Sequence, residues 1–354
     1  MTRYIGLDAH AASCTLAVVG PSGKHISCHV LETRANVLVD LIKTIARPRH
    51  LCFEEGTHSG WLYEILSLHV DETVVTGLMG RRGRNGVKDD ERDAFVLAEK
   101  LRTNSIETRV FKDVGRYGKL REISHAYGML VRDSVRVQNR VRSLYRSRGI
   151  ETPGDGIYDA ERRAEWIAKL PPKSQPVAQL MVQQYDAVEN LRADGEKQMR
   201  IEARQHPVTR RLETIPGIGP IRAAQLVPII VSPHRLRTKR QLWKYAGLAI
   251  VTRSSSDWVK GKDGGWSRQT VQQTRGLNRT HNGTLKCIFK GAATTVIGRA
   301  DADCPIYQHY RSMIDNKTKP NLAKLTIARQ IAAIALAVWK KEEVYAPAKV
   351  KKSS

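Results

Sequence analysis

Residues 4–31, YIGLDAHAASCTLAVVGPSGKHISCHVL, contain three short apolar segments that are separated by turns. The segments cover residues 4–8, 14–19 and 25–31, and a Pro-Ser-Gly turn lies between the last two. Connections this short join antiparallel strands, because a parallel crossover needs a dozen or more residues. The stretch therefore predicts a three-stranded antiparallel meander at the beginning of the chain.

The region after the meander alternates between helical and strand patterns. Helical spacing over residues 35–46 precedes a buried strand over 50–53, which runs directly into Glu54 and Glu55. This α/β alternation predicts an α/β domain, in which a mixed sheet carries helices on its faces. The remaining predicted elements are a helix over 61–68, a strand over 73–76, a Gly- and Arg-rich loop over 78–86 and a helix over 90–103.

Four carboxylates follow these elements in an order that suits a metal site. Asp8 ends the first strand and Glu54 ends the fourth, while Asp90 and Asp93 share one helix face. Mg²⁺ prefers oxygen ligands, and a pair of metal ions stabilises both the attacking and the leaving oxygen of a phosphoryl transfer. The pattern predicts a Mg²⁺ (or Mn²⁺) site on these four residues. Taken singly, Asp8 also suits a turn cap, Glu54 an exposed carboxylate, and the Asp90/Asp93 pair an acidic first helical turn.

Two long helical segments, 121–148 and 177–205, follow this domain, with a Pro/Gly break at 152–156 between them. They predict a helical middle that folds as an antiparallel coiled coil. The apolar seam of the first segment consists of Leu130, Val137 and Leu144, with Ser134 and Val141 between them. Its basic face consists of Arg132, Arg136 and Arg140. We expect this face to contact phosphates, the alternative being a solvated helix face.

The last part of the chain begins near Val208 and contains two further motifs. Residues 215–220, IPGIGP, place Gly217 and Gly219 at the start of a helix, where backbone N–H groups suit a phosphate oxygen. This is the pattern of a helix–hairpin–helix, and a tight turn between helices is the alternative. A run of three serines, Ser254-Ser255-Ser256, follows the helical segment 240–246, and on composition alone it is an ordinary loop.

Composition narrows the function classes. The 354 residues include 59 Lys and Arg against 35 Asp and Glu, which gives a net charge of +24. A charge this large favours a polyanion, and nucleic acid in particular, as the partner. Neither an uninterrupted apolar run long enough for a membrane span nor a signal-peptide pattern is found, so we expect a cytoplasmic protein that does not act at a membrane. The five scattered cysteines form no C-x-x-C pair, which disfavours a disulfide framework or a zinc site.

The motifs taken together resemble the DEDD insertion-sequence transposases, the bridge-RNA-guided recombinases of the insertion-sequence one-ten family that are related to the Piv invertase. The resemblance spans roughly residues 3–340 and depends on the order of the motifs. Those motifs are YIGLD at 4–8, Phe53-Glu54, KDDERDA at 88–94, IPGIG at 215–219 and YAGL at 245–248 with the serines after it.

The resemblance implies an organisation and a chemistry. It implies a RuvC-like ribonuclease H fold over 1–112, a coiled-coil middle over 113–206, and a mainly α transposase domain over 207–345, with a disordered tail over 346–354. Asp8, Glu54, Asp90 and Asp93 would be the metal ligands. The family serine lies eight residues after the glycine of the Gly-Leu pair, which gives Ser255, whose hydroxyl would attack a DNA phosphate. Implied partners are donor and target DNA, a structured guide (bridge) RNA, and further copies of the chain in a dimer or tetramer, in a bacterial cell.

The sequence departs from the family pattern at four places. Glu54 is followed by Glu55, so either could be the second acid. Ser256 replaces the small glycine after the serine, so Ser254 or Ser256 could be the nucleophile. Asp89 stands where the family has threonine, and residues 258–282 form a longer stretch than the family has.

Two other functions fit the same residues. A RuvC-like nuclease that resolves branched DNA would use water as its nucleophile and would form no covalent adduct. A nonenzymatic DNA- or RNA-binding protein would need none of the carboxylates. A sugar-kinase-like fold is disfavoured, because Asp8-Ala9-His10 lacks the glycine that a phosphate loop needs.

Overall fold

The computed structural model describes residues 1–77, 89–110, 115–253, 258–261, 263–268 and 273–349. The chain divides into two compact units, Met1–Arg116 and Tyr117–Ser354. The division of the second unit into a helical middle and a transposase domain, and the exact domain boundaries, stay predictions.

The first unit is a six-stranded mixed sheet with helices on its faces, as the sequence predicts. Its strand order is β3-β2-β1-β4-β5-β6; β1, β2 and β3 are antiparallel, while β4 is parallel to β1 and to β5. The predicted loop over 78–86 lies outside the described residues. The strands are β1 (Arg3–Ala9), β2 (Ser13–Val19), β3 (His25–Glu32), β4 (Arg49–Glu54), β5 (Glu72–Thr76) and β6 (Arg109–Val110), and the helices are α1 (Ala35–Thr44), α2 (Ser59–Leu66) and α3 (Asp90–Arg102).

The two faces of this sheet have different apolar cores. Ile5, Leu7 and Phe53 are buried on the face that packs with α1 and α2. Cys52 is buried on the opposite face together with Leu97 of α3. Successive side chains of a strand point to opposite faces, so this alternation assigns each residue of β1 and β4 to one face.

Gly6 lets α3 lie directly on β1. A Cβ at residue 6 would lie 1.9 Å from the carbonyl oxygen of Ala94 and 2.6 Å from the backbone nitrogen of Ala98. Ala94 and Ala98 are themselves fully buried, so all three contact residues are small. The backbone of α3 is therefore held against the strand that carries Asp8.

The second unit is mainly helical. Its strands form two separate two-stranded ladders, β7 with β10 and β8 with β9. The helices are α4 (Gly118–Arg146), α5 (Arg163–Ala168), α6 (Gln175–Arg204), α7 (Pro207–Glu213), α8 (Pro220–Ile230), α9 (Lys239–Tyr245), α10 (Gly283–Arg299), α11 (Pro305–Asp315) and α12 (Pro320–Lys341), and the strands are β7 (Ile250–Arg253), β8 (Trp258–Lys260), β9 (Trp266–Arg268) and β10 (Gln273–Leu277).

Helices α4 and α6 pack side by side in antiparallel directions. The Nζ of Lys119, near the start of α4, lies 2.7 Å from Oε2 of Glu202, near the end of α6. Further along α4, Ser134 Oγ donates a hydrogen bond to Glu189, which lies earlier in α6. The predicted seam residues Val137 and Val141 are buried in this contact. That the pair is a supercoiled coiled coil stays a prediction.

Helix α12 is long and apolar enough, by length and composition, to cross a membrane. The sequence, which contains no uninterrupted apolar run of that length, predicts no such span. Its residues Ile327, Ile331 and Trp339 are buried in one core cluster with Phe289 of α10. A core helix passes the same composition test, and this packing accounts for the apolar character of α12. Beyond it, Pro347–Lys349 form a single 3-10 turn, and the rest of the predicted disordered tail lies outside the described residues.

Candidate functional site

The sheet places Asp8 and Glu54 on the face that α3 covers. Asp8 lies two residues after Gly6 on β1, and Glu54 lies two residues after Cys52 on β4, so each shares the face of its neighbour. The two strands are adjacent and parallel, with Leu7 opposite Phe53. Their carboxyl ends therefore bring both acids to one edge of the sheet.

Helix α3 contributes two more carboxylates from its first turn. Asp90 and Asp93 lie there together with Glu91, where the positive end of the helix dipole stabilises negative charge. Asp89 is the N-cap, and its side chain accepts a hydrogen bond of 3.1 Å from the backbone N–H of Glu91. Asp is among the preferred N-cap residues, so Asp89 stabilises the first turn of α3.

His10 is a functional candidate that the sequence analysis missed. Its Nε2 lies 3.4 Å from Oδ2 of Asp8 and 3.3 Å from Oδ1 of Asp90. One possible ligand atom of each of these three residues lies within 4.8 Å of the ligand atoms of the other two. Strand alternation in the sequence does not indicate this position, because His10 follows Ala9, the last residue of β1.

Three of the four predicted carboxylates open into one cleft, whereas Asp90 is grouped with Asp8 and His10 but does not line that cleft. Asp8, His10, Glu54, Glu55 and Asp93 line a cavity of about 260 Å³, which we call the carboxylate cleft. Glu54 shares the sheet face of Asp8, whereas Glu55 follows the end of β4 and is exposed. This alternation supports Glu54 over Glu55 as the second acid of the site.

The position of His10 is fixed through its backbone. Its N–H donates to the carbonyl of Ser13 at 2.9 Å, and its carbonyl accepts from Oγ1 of Thr33 at 2.9 Å. Thr33 in turn lies 3.3 Å from Sγ of Cys14, a fully buried thiol. These contacts hold the β1–β2 turn against the end of β3 and fix the imidazole beside the acids.

The donor set fits a divalent cation. The Nε2 of His10 is buried, and no described group completes a hydrogen bond with it, although two carboxylate oxygens lie close by. Carboxylates in such a group repel one another unless a cation or proton relieves the repulsion. Burial raises the pKa of Cys52, next to Glu54 in the same strand face, to about 12. Cys52 does not line the cleft, whose possible ligands are carboxylate oxygens and imidazole nitrogens.

The first glycine of the IPGIG turn is required because the turn packs closely against α10. Gly217 has a φ of +82°, and a Cβ there would lie 2.5 Å from the carbonyl oxygen of Ala292 in α10. The guanidinium of Arg222 donates to the Gly217 carbonyl at 2.7 Å and so closes the turn. Gly219 is the N-cap of α8, where a Cβ would meet open space. Phosphate binding at Gly217 and Gly219 stays a prediction.

A basic cavity lies at the start of α8. Arg200 and Arg204 of α6 and Arg210 of α7 line a space of about 460 Å³ together with Pro220 and one acid, Glu213. Arg200 lies 3.8 Å from Glu196, whereas no described residue forms an ion pair with Arg204 or Arg210. The sequence analysis missed this cluster, although Arg200 and Arg204 are one helical turn apart.

The predicted basic face of α4 is exposed. Arg132, Arg136 and Arg140 all lie at the surface of the helix, but Arg136 donates a hydrogen bond of 2.7 Å to Oδ1 of Asp133. Two of the three arginines are therefore better placed than the third to contact a phosphate.

The predicted nucleophile lies outside the described residues, as do both neighbouring serines, Ser254 and Ser256. The described strands on either side define its place in the chain: Ser255 follows β7 and precedes β8. β7 also pairs with β10, so the serine segment and the β8–β9 hairpin both lie in the connection between two paired strands.

Comparison with known families identifies both parts of the chain. Residues 5–147 match the model of a transposase domain of the DEDD type found in IS110 elements. Residues 209–305 match the model described as the transposase IS116/IS110/IS902 family. No curated protein matches the chain. The carboxylate cleft falls within the first match, and the IPGIG turn and serine segment fall within the second.

Proposed function

Because the chain belongs to the IS116/IS110/IS902 family of DEDD transposases and is a DNA transposase, we propose that it cuts and rejoins DNA strands with a divalent metal in the carboxylate cleft and a phosphoserine at Ser255. The observation that carries this proposal is the meeting of Asp8, His10 and Asp90 at the end of β1. Family membership makes the protein an enzyme acting on DNA, which removes the nonenzymatic binding protein as an alternative.

The cleft supports a RuvC-like, ribonuclease H type of site. Asp8 and Glu54 come from the ends of adjacent parallel strands, and Asp93, like the neighbouring Asp90, comes from the first turn of α3. These side chains and His10 would hold a cation such as Mg²⁺ or Mn²⁺. When bound, the cation would stabilise negative charge that develops on a phosphate during strand cleavage.

The proposed serine step conserves the phosphodiester bond energy. The Oγ of Ser255 forms a bond to phosphorus while the bond from phosphorus to one deoxyribose oxygen breaks, and the serine proton ends on that leaving oxygen. Attack by a deoxyribose hydroxyl on the phosphoserine reverses these changes, so rejoining needs no ATP. A serine hydroxyl is a weak nucleophile until it is activated, so the step requires a proton acceptor.

A covalent adduct tests the serine step. Reaction mixtures of the full chain with DNA, denatured before analysis, should contain protein bound to a DNA strand. Ser255→Ala should lose the adduct and strand exchange while it still binds DNA, and Ser254→Ala and Ser256→Ala are the matched controls. If one of those controls removes the adduct instead, the nucleophile is that serine. If the triple variant still cleaves DNA, the protein is a hydrolytic RuvC-like nuclease.

His10 bears on which cation the cleft binds. Imidazole nitrogen suits Mn²⁺ and later transition metals better than Mg²⁺, which prefers oxygen ligands. We therefore propose that His10→Ala weakens Mn²⁺ binding more than Mg²⁺ binding, as measured by calorimetry on the free protein. Unchanged binding of both cations would remove His10 from the ligand set.

The guide RNA is part of the same proposal. The net charge of +24 and the cavity lined by Arg200, Arg204 and Arg210 support binding of a structured RNA in addition to donor and target DNA. Sequencing of the nucleic acid that copurifies with the chain tests it. We expect a single structured RNA species, and a random mixture of cellular RNA would contradict guidance.

An apolar seam on α6 supports self-association. Val177, Leu180, Leu191 and Ile201 fall on one heptad seam, and each side chain is more than two-fifths exposed. The seam is interrupted by Gln184, Asp194 and Gln198. We propose that this seam packs against the same seam of a second copy. Leu180→Lys with Leu191→Lys should shift the molar mass in light scattering from dimer to monomer. Ala193→Lys, which is exposed on another side of α6, should leave it unchanged.

A further inference from the structure

The β8–β9 hairpin presents two tryptophans and a lysine on one face. Trp258 and Lys260 are two residues apart on β8, and Trp266 of β9 is directly opposite Lys260. Side chains alternate along each strand and match across a pair, so these three residues share a face. Trp258 and Trp266 are diagonal neighbours, a separation that aromatic rings can span.

Both indole rings are exposed to solvent. Trp258 is 59% and Trp266 is 64% exposed, and Lys260 is exposed between them. The other four tryptophans of the chain are buried or half-buried. The hairpin is closed by a hydrogen bond of 2.7 Å from the Gly261 N–H to the Gly265 carbonyl. Exposed aromatic rings beside a cation are the composition of surfaces that stack bases and neutralise phosphates.

The hairpin follows the serine segment after only a few residues of the chain. Trp258 follows Ser255 by three residues, and three extended residues span at most about 11 Å between Cα atoms. Wherever Ser255 meets a phosphate, Trp258 is therefore within one or two nucleotides of it.

We propose that the face formed by Trp258, Lys260 and Trp266 binds single-stranded DNA next to the cut site, with unpaired bases stacked on the two indole rings. This inference rests on the proposed function, because it takes the strand near Ser255 to be DNA. Bases in a duplex are stacked on each other and offer their faces to a protein only when unpaired. The hairpin therefore holds a strand that has separated from its complement during exchange.

Binding of labelled oligonucleotides to the full chain tests the proposal. Trp266→Ala should weaken binding of a short single-stranded DNA by roughly tenfold, and Trp258→Ala by a similar factor. Trp266→Tyr should keep most of the affinity, because a smaller aromatic ring still stacks. Neither alanine variant should weaken binding of the same sequence as a duplex.

Salt dependence separates stacking from charge. Lys260→Ala should lower the slope of log K against log salt concentration by about 0.7, the value for one phosphate contact on a single strand. The tryptophan variants should leave this slope unchanged. Val259→Ala is the matched control, because Val259 is 45% exposed but lies on the opposite face of the hairpin.

Three outcomes would overturn the inference. Tryptophan variants that bind single-stranded DNA as tightly as Val259→Ala would show that the rings do not stack on bases. Equal loss of duplex binding would show that the face does not select unpaired strands. Loss confined to an RNA oligonucleotide of the same sequence would assign the face to RNA.

The test distinguishes this inference from the serine proposal. If Ser255→Ala still forms the covalent adduct, the serine proposal fails, while the effect of the tryptophans on oligonucleotide binding remains measurable. If the unmodified chain forms the adduct and the tryptophan variants bind normally, the hairpin inference alone fails.

Discussion

The carboxylate cleft and the β8–β9 hairpin hold their functional side chains in different ways. Asp8 and Glu54 extend from neighbouring strands inside a six-stranded sheet, and Asp90 extends from a helix whose backbone touches that sheet at Gly6. Trp258 and Trp266 extend from strands of three residues each that pair only with one another. The first arrangement sets distances between side chains, and the second sets only which side chains share a face.

The difference matches what each surface must bind. Metal ligands must meet within a few tenths of an ångström, so their supports must be closely packed. Bases that arrive on a separated strand have no fixed position, and an exposed ring stacks on any of them. Variants that loosen the cleft should therefore cost far more activity than variants of comparable size in the hairpin.

The largest effect should come from a single ligand of the cleft. Asp8→Asn keeps the shape of the side chain but removes the charge that a cation requires. We expect it to abolish strand exchange and to weaken Mn²⁺ binding by at least roughly a hundredfold, with folding and DNA binding preserved. Asp40→Asn, on an exposed position of α1, is the control. Full strand exchange by Asp8→Asn in Mg²⁺ would refute the metal assignment.

A slightly smaller effect should follow from separating α3 from β1. Gly6→Ala places a methyl group 1.9 Å from the Ala94 carbonyl oxygen, so the helix must move away from the strand. Overpacking of this kind lowers the free energy of unfolding by about 1–3 kcal/mol or more. It should also weaken metal binding, because Asp90 and Asp93 move with the helix.

The control for Gly6→Ala is Gly60→Ala. A Cβ at Gly60, in the first turn of α2, meets no atom within 4 Å. Its free energy of unfolding, measured by urea titration, should change by less than about 1 kcal/mol, and in the stabilising direction. Equal stability of the two variants would show that close contact between α3 and β1 does not support the site.

Strand and helix types were predictable wherever the periodicity was strong. The meander, α1, α3 and the two long helices follow directly from alternation and helical spacing, and their ends differ from the predictions by a few residues. Helix α11 was missed although its apolar residues have helical spacing: Ile306 is fully buried, and Tyr310 and Met313 pack against the same core. The β8–β9 ladder was missed because strands of three residues are too short to show an alternation of apolar and polar residues.

The site was predictable only in part, for a geometric reason. A carboxylate at a strand end can be recognised from the sequence, but which side chains converge depends on how closely α3 approaches β1. That approach depends on Gly6 meeting Ala94 and Ala98, and the sequence does not reveal which small residues face each other. His10 was missed because it follows the end of β1, and the turn that returns it to the cleft is held by Thr33 from the end of β3.

Charge on α4 should have a moderate effect that depends on salt. Alanine at Arg132, Arg136 and Arg140 should flatten the slope of log K against log salt for duplex DNA. Three phosphate contacts would give a change of about 2.7, but the ion pair of Arg136 with Asp133 reduces the expectation to about 1.8. Asp133→Asn releases Arg136 and should steepen the slope. An unchanged slope in the triple variant would show that this face is only solvated.

The smallest effect concerns the pH dependence of stability in the cleft's sheet. Burial raises the pKa of Cys52 from 9.0 to about 12 in the folded chain. The folded state therefore keeps the thiol proton at a pH where the unfolded state loses it, and the stability present below pH 9 declines as the pH rises toward 12. Between pH 9 and pH 10 the free energy of unfolding should fall by roughly 1 kcal/mol through this group alone.

Cys52→Ala should remove that part of the decline, whereas Cys287→Ala, at an exposed position of α10, should not. An identical decline in both variants would mean that the thiol is not held in a dry sheet face beside Glu54, and the rigid support argued for the carboxylate cleft would lose one of its physical grounds.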